Sequence, residues 1–285
     1  MKLIYSLIIS LLISHVCIAQ QTDDHFTSRI YGAFGYNAEW YAKNDINISQ
    51  PSLGNKYKMA GVTGNDYVGW NKKLFQTQLT IPQYNYRLGF WFKKHKTWGF
   101  EVNFDHTKYQ LTPGESVRLQ GTVNNRSMDS YIVVRDGYFH WKLNNGANFL
   151  CFNIMKRVYV IGTKNGNFKL FNIYKMGAGP TIPHVENTLF GMDNKSGFQL
   201  GGWNFGLEAG YRMEFFKYIY LDLSQKLDYA RYFNLKVYKG TATQQLCTYE
   251  VMATLGVMIP YEPFWKKKKT PAATTAQTTT TSTGN

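Results

Sequence analysis

GGWNFGLEAGYRMEF, residues 201–215, is the stretch on which the reading of the whole chain turns. Every second residue is apolar: Trp203, Phe205, Leu207, Ala209, Tyr211, Met213, Phe215. The intervening set is polar or glycine: Gly202, Asn204, Gly206, Glu208, Gly210, Arg212, Glu214. A period of two over so long a run is the mark of a strand with one apolar face, and a helix does not present it. Its length exceeds that of an ordinary globular strand and suits a tilted strand crossing a bilayer. The alternation recurs at Ile219, Leu221, Leu223, Leu227 and Tyr229 against Asp222, Ser224, Lys226 and Asp228. It returns at Val251, Ala253, Leu255, Val257 and Ile259 against Thr248, Glu250, Thr254 and Gly256.

In a water-soluble sandwich the apolar face would be the core; in a membrane barrel it would meet lipid. Glycines alternating with Glu and Arg on the polar face suit a narrow, filled lumen better than a solvated surface. Composition points the same way, with 16% aromatic residues, 25 glycines and a slightly negative mean hydropathy. The expected fold class is all-β, an antiparallel up-and-down eight-stranded transmembrane β-barrel. Strands are predicted at about 29–42, 79–93, 97–111, 147–160, 168–182, 198–215, 217–230 and 246–260. Short turns then fall at 95–96, 162–167 and 216–217, and long extracellular loops at 43–78, 112–146, 183–197 and 231–245. Residues 131–143 are expected as a hairpin standing above the membrane.

Lys2, an apolar run over 3–13 and the small residues around Cys17-Ile18-Ala19 read as a secretory signal peptide spanning 1–19. Ser14 and Val16 stand where a lipidation motif would want a leucine and a small residue. The barrel with its loops then occupies 20–265, and the Lys- then Thr/Ala-rich tail, 266–285, has no apolar periodicity. The predicted location is the outer membrane of a Gram-negative bacterium, with the chain a monomer. The formal charge of +14 suits a phosphate-bearing outer leaflet, and no nucleic-acid partner is expected for an exported chain. Cys151 and Cys247 fall on opposite faces of the wall, so no disulfide is expected, and both read as small buried residues.

Ions crowd the predicted lumen face: Glu39, Arg87, Glu101, Asp105, Glu208, Arg212, Glu214, Asp222, Lys226, Asp228 and Glu250. An eight-stranded interior holds only side chains, so these are read as a salt-bridged plug rather than a channel. His106, His140 and His184 fall at the extracellular rim. By alternation His106 shares the lipid face with Trp98, Phe100, Val102 and Phe104. In GAGPTIPHVEN, residues 177–187, Pro180 and Pro183 are expected to end pairing and leave His184 and Glu186 at the surface. His106, His184 and Glu186 could bind a divalent metal or act as acid–base partners; rim hydrogen bonding is the alternative.

GFEVNFDHTKYQL (99–111), NNGANFLCFNIMKR (144–157), KMGAGPTIPHVE (175–186), FQLGGWNFGLEAGYRMEF (198–215) and YIYLDLSQKLDY (218–229) resemble a family of bacterial eight-stranded outer-membrane barrels. Some members are lipid A oxidases, which convert the proximal glucosamine of lipid A to an aminogluconate with dioxygen and a divalent metal. The resemblance covers most of the barrel from about residue 97, and its HTK and PHVE pieces are the most specific. It implies lipopolysaccharide as partner, His106, His184 and Glu186 as catalytic or metal-binding groups, and Lys108 for a substrate phosphate. The competing expectation is a non-enzymatic barrel of the outer membrane protein A type, working through its loops.

Overall fold

A computed structural model describes residues 26–27, 29–66, 83–143 and 146–260. The predicted signal peptide, the tail and the first four residues of the second predicted strand lie outside the described residues. Chain order is β1 (Arg29–Tyr41), β2 (Asn44–Gln50), β3 (Asn55–Val62), β4 (Gly64–Asn65), β5 (Tyr84–Trp91), β6 (Trp98–His106), β7 (Tyr109–Leu111), β8 (Ser116–Val123) and β9 (Arg126–Val133). It continues with β10 (His140–Leu143), β11 (Phe149–Gly162), β12 (Phe168–Thr181), β13 (His184–Leu189), β14 (Met192–Phe198), β15 (Gly202–Phe215), β16 (Ile219–Val237) and β17 (Gly240–Pro260).

Eight of these close a cylinder in the order β1-β5-β6-β11-β12-β15-β16-β17, sealed by antiparallel pairing of β1 with β17 from Arg29↔Pro260 to Tyr41↔Thr248. Closure leaves no unpaired edge, which is what a bilayer demands of backbone polar groups. The decisive strand faces outward as a membrane barrel requires: Trp203, Leu207 and Tyr211 are 44%, 48% and 41% exposed, while Asn204, Glu208 and Arg212 are buried. A stacked sandwich would have hidden the first set. The chain is therefore a transmembrane β-barrel.

Its short turns lie at the end that also carries Arg29 and Pro260. Phe216 and Lys217 close the β15–β16 hairpin with φ of 50° and 68°, a left-handed pair usually given to Asn-Gly.

At the other end the predicted loops are themselves sheet. The expected loop 231–245 does not exist as one: β16 and β17 continue as a single long hairpin that turns at Tyr238 and Lys239, with Val237 facing Gly240. Above the barrel, β2, β3, β8 and β9 extend the sheet from β17. A second, five-stranded sheet in the order β14-β13-β10-β7-β4 faces it. Trp141, Leu143, Val185 and Leu189 of the second sheet share one apolar cluster with Ile46, Met59, Leu119 and Leu246 of the first. A hydrogen bond from Trp141 Nε1 to Gln244 Oε1, 3.0 Å, joins the two layers.

Residues 131–143 close only a tight turn, with Arg135 bridged to Phe139, and the strands that flank it do not pair with one another. β9 pairs with β8 through a turn at Asn124 and Asn125, whereas β10 joins β13 and β7 in the second sheet. Pro180 sits inside β12 opposite Trp203, and pairing resumes at His184. The prolines therefore mark where the chain leaves the barrel sheet for the cap sheet, not where pairing stops. Cys151 and Cys247 are both free, as expected, but Cys247 is exposed rather than buried.

Candidate functional site

The lumen is filled in three tiers. Nearest the short turns, Arg212 bonds Asp222 at 2.7 and 2.8 Å and lies 4.0 Å from the Tyr220 ring centroid and 4.4 Å from that of Tyr31. Beside it Arg157 stacks 4.2 Å from Trp91 and pairs with Glu214 at 3.4 Å. In the middle, Arg87 donates to Glu101 at 2.8 Å and Glu208 at 2.9 Å, and Lys175 bridges the same two carboxylates at 2.7 and 3.2 Å. Nearest the cap, Lys226 pairs with Asp105 at 2.6 Å and Asp228 at 3.0 Å. Gly206 makes room for this tier: a Cβ there would meet Asp228 Oδ1 at 2.5 Å and Lys226 Cε at 2.6 Å.

Every residue of the predicted lumen set is buried. Lys175 belongs to the same network and was missed, although it shares its strand face with Gly177 and Ile173. Among the described residues, Asp105, Asp228 and Glu250 are the one set of three His, Cys, Asp or Glu ligand atoms lying within 4.8 Å of one another. The Lys226 ammonium already supplies the cation for two of them, so this set reads as part of the plug.

The rim residues are placed by the short segment 146–148, which lies between the end of β6 and the β12–β13 crossing. Ala147 N donates to Thr107 O at 2.7 Å, Ile182 N to Asn148 O at 3.0 Å, and His184 N to Gly146 O at 2.9 Å. This segment separates His106 from His184 by two interstrand spacings, on the order of 10 Å. Asn148 Nδ2 donates to Ile182 O at 2.9 Å, which leaves its Oδ1 to accept from His106 Nδ1 at 2.8 Å. That assignment puts the imidazole proton on Nδ1 and the lone pair on Nε2. The His106 ring also stacks on Tyr84, with centroids 4.4 Å apart and planes at 16°. Its strand phase is outward, as expected, but it is 8% exposed rather than open to lipid.

His184 and Glu186 share one face of β13, with Val185 between them in the cap core. His184 Nδ1 lies 3.5 Å from Glu186 Oε1, with side chains 15% and 26% exposed. The separation exceeds a good hydrogen bond. The Phe198 ring stands against the histidine at 5.0 Å. Two of the three predicted site residues are thus together, and His106 is not grouped with them. His140 lies higher, in β10 of the cap, opposite Thr188.

Lys108 is 7% exposed, so it does not stand open at the lipid surface. Its carbonyl accepts from Tyr41 Oη at 2.7 Å, its amide is bonded by the Gln83 side chain, and burial lowers its pKa while Asp66 opposes that shift. Asn148 and Tyr84, which position His106, carry no sequence signal of their own. Only the register of β5 and the crossing at 146–148 bring them to it.

No protein-family model matches the sequence, and no curated protein matches it. Among solved structures, the chain is similar to the outer membrane protein OprG from Pseudomonas aeruginosa, at 11% identity, covering 83% of this chain and 98% of that one, with a TM-score of 0.39. It is also similar to the outer membrane protein AlkL, seen by solid-state NMR in DMPC bilayers, at 8% identity, covering 86% and 96%, with a TM-score of 0.37. A third similar structure is Ail, the attachment invasion locus protein of Yersinia pestis, in complex with the heparin analogue sucrose octasulfate. Its identity is 11%, its coverage 81% and 97%, and its TM-score 0.31.

Proposed function

We propose that this chain is an outer-membrane barrel whose work is surface contact: a closed cylinder that holds a folded β-cap outside the cell. The observation that carries this reading is the filled lumen beneath a separate apolar core. Arg87, Lys175 and Lys226 occupy the barrel's axis with their carboxylates, leaving an eight-stranded interior no aqueous path. Short turns belong in the periplasm and the long connections outside, so the cap faces the medium and the barrel stands as a monomer among lipopolysaccharide. Reconstituted in a planar bilayer, the chain is expected to pass no ion current, and deleting its gene is expected to leave lipid A unchanged in mass. A steady conductance would overturn the reading.

A second reading, lipid A modification of the oxidase type, is favoured by one observation. His184 and Glu186 stand 3.5 Å apart, partly exposed, at the rim where an outer-leaflet headgroup would lie. A divalent metal would there take His184 and Glu186 as donors, while His106, on the order of 10 Å away across segment 146–148, is out of reach of the same ion. Lipid A from cells with and without the chain separates the two readings. A chain-dependent oxidised species that disappears in His184→Ala, with the barrel still folded, supports the enzyme and displaces surface contact.

A further inference from the structure

Where β1 bends at residues 42–43 and β2 takes over its place beside β17, the wall folds into an outward groove of about 740 Å³. Its residues come from successive strands in register. Trp203 faces Arg231, which faces Gln245, and one register nearer the membrane Tyr229 faces Cys247. Ala42 N donates to Cys247 O at 2.9 Å, which sets Lys43 beside that row. Lys43 and Arg231 are exposed, and neither makes an ion pair among the described residues. Asp45, the groove's one carboxylate, is occupied by Lys58 at 3.2 Å and by the Gly61 amide at 2.8 Å, and that amide bond holds its pKa below the usual value.

The two cations are two strands apart, on the order of 10 Å, within reach of one another's side-chain ends. Below them the wall turns apolar and aromatic. Trp203 and Tyr229 pack at 5.5 Å, and Phe205 and Leu207 continue down the lipid-facing side. Aromatic rings mark the interfacial level of a barrel, and cations just above that level meet lipid phosphates.

We propose that this groove binds the phosphorylated headgroup of an outer-leaflet glycolipid, with Lys43 and Arg231 holding phosphate and Trp203 and Tyr229 packing on the sugar and the first acyl methylenes. The inference rests on the extracellular placement of the cap, but not on whether the chain is an enzyme. The groove is separate from His184 and Glu186, and Lys108 takes no part in it.

Cys247 lines the groove and is exposed, whereas Cys151 is buried, so alkylation of Cys247 by N-ethylmaleimide reports occupancy. The full chain in maltoside micelles would be titrated with bisphosphorylated lipid A, with the same lipid dephosphorylated, and with inorganic phosphate. Bisphosphorylated lipid A is expected to protect Cys247 at concentrations roughly tenfold lower than the dephosphorylated lipid, the size of effect one charge-assisted contact supplies. The double variant Lys43→Gln, Arg231→Gln is expected to abolish that preference while retaining the heat-dependent gel mobility of a folded barrel. Equal protection by both lipids, or a preference that survives in the variant, overturns the proposal. Equal protection by inorganic phosphate alone would make this a free-anion site and overturn it too. Ion conductance and lipid A mass bear on the proposed function and leave this outcome untouched.

Discussion

Barrel and cap are built from the same alternating strands and are turned inside out with respect to one another. In β15, Leu207 is 48% exposed and its neighbour Glu208 is buried; in β13, Val185 is fully buried and its neighbours His184 and Glu186 reach the surface. β17 does both along its length. Leu255 faces outward at 61% in the barrel, and Leu246 is fully buried in the cap. Alternation alone says that two faces differ. Which face turns inward depends on whether the strand is surrounded by acyl chains or by water.

The contrast can be tested by making the same change in each region. Arg87→Met leaves Glu101 and Glu208 buried with only Lys175 between them, and is expected to cost about 3–5 kcal/mol in urea-driven unfolding from lipid vesicles. The matching cap change, Arg118→Met, breaks a bidentate pair with Asp129 at 2.8 Å that stands half-exposed in water. It should leave the unfolding curve unmoved. Comparable losses from both would mean that the lumen is wet and the plug is not sealed.

Trp141→Ala empties the centre of the cap core and should cost about 3–5 kcal/mol. The loss should be local, with the cap cut readily by protease while the barrel keeps its heat-dependent gel mobility. Simultaneous loss of both would show that the barrel cannot close without the cap.

A smaller effect is expected from charge placed on each outer face. Leu207→Arg puts a cation against acyl chains and should cost about 2–4 kcal/mol near the midplane. Tyr131→Arg, at a cap residue 70% exposed, should change stability by less than about 0.5 kcal/mol. Equal tolerance at the two sites would remove the barrel from the membrane.

The smallest effect concerns the junction. Burial pushes the Asp66 carboxyl from 3.8 up to about 6, against the hydrogen bonds and the Lys108 charge that favour the anion. A raised folded-state pKa means that the charged form costs stability, fully above pH 6 and progressively less as pH falls towards 4. Asp66→Asn should therefore stabilise the cap by about 1–2 kcal/mol at pH 8, with the gain vanishing near pH 4. A gain that persists at pH 4 would point to packing rather than charge.

Most barrel strands were legible before the structure, because each has to present an unbroken apolar stripe to lipid. The lumen ions were legible for the same reason. The cap was not. Its hairpins β2–β3 and β8–β9 are local, but the pairings that assemble it, β2 with β17, β3 with β8 and β10 with β13, join segments far apart in the chain, and the strands are short, so periodicity in any one of them is weak. Tyr238 and Lys239 turn a hairpin without the Asn-Gly signature, which hid the continuation of β16 and β17. Of the rim residues, the i, i+2 spacing of His184 and Glu186 made their shared face readable from sequence. The separation of His106 from them depends on the insertion of segment 146–148, which no local pattern announces.

The amino-acid order by itself determined the kind of wall: alternate residues, a repeat of two, and strands long enough to cross a bilayer. Local geometry suffices for that, since neighbouring side chains on a strand must point to opposite faces. What only the tertiary structure decided was which strands meet, and hence that the loops fold into a second core. It likewise decided that Lys43 and Arg231 share a groove while His106 stands apart from His184. Those outcomes depend on register between distant segments, which is set by packing and closure of the whole sheet and has no counterpart in any stretch of the chain taken alone.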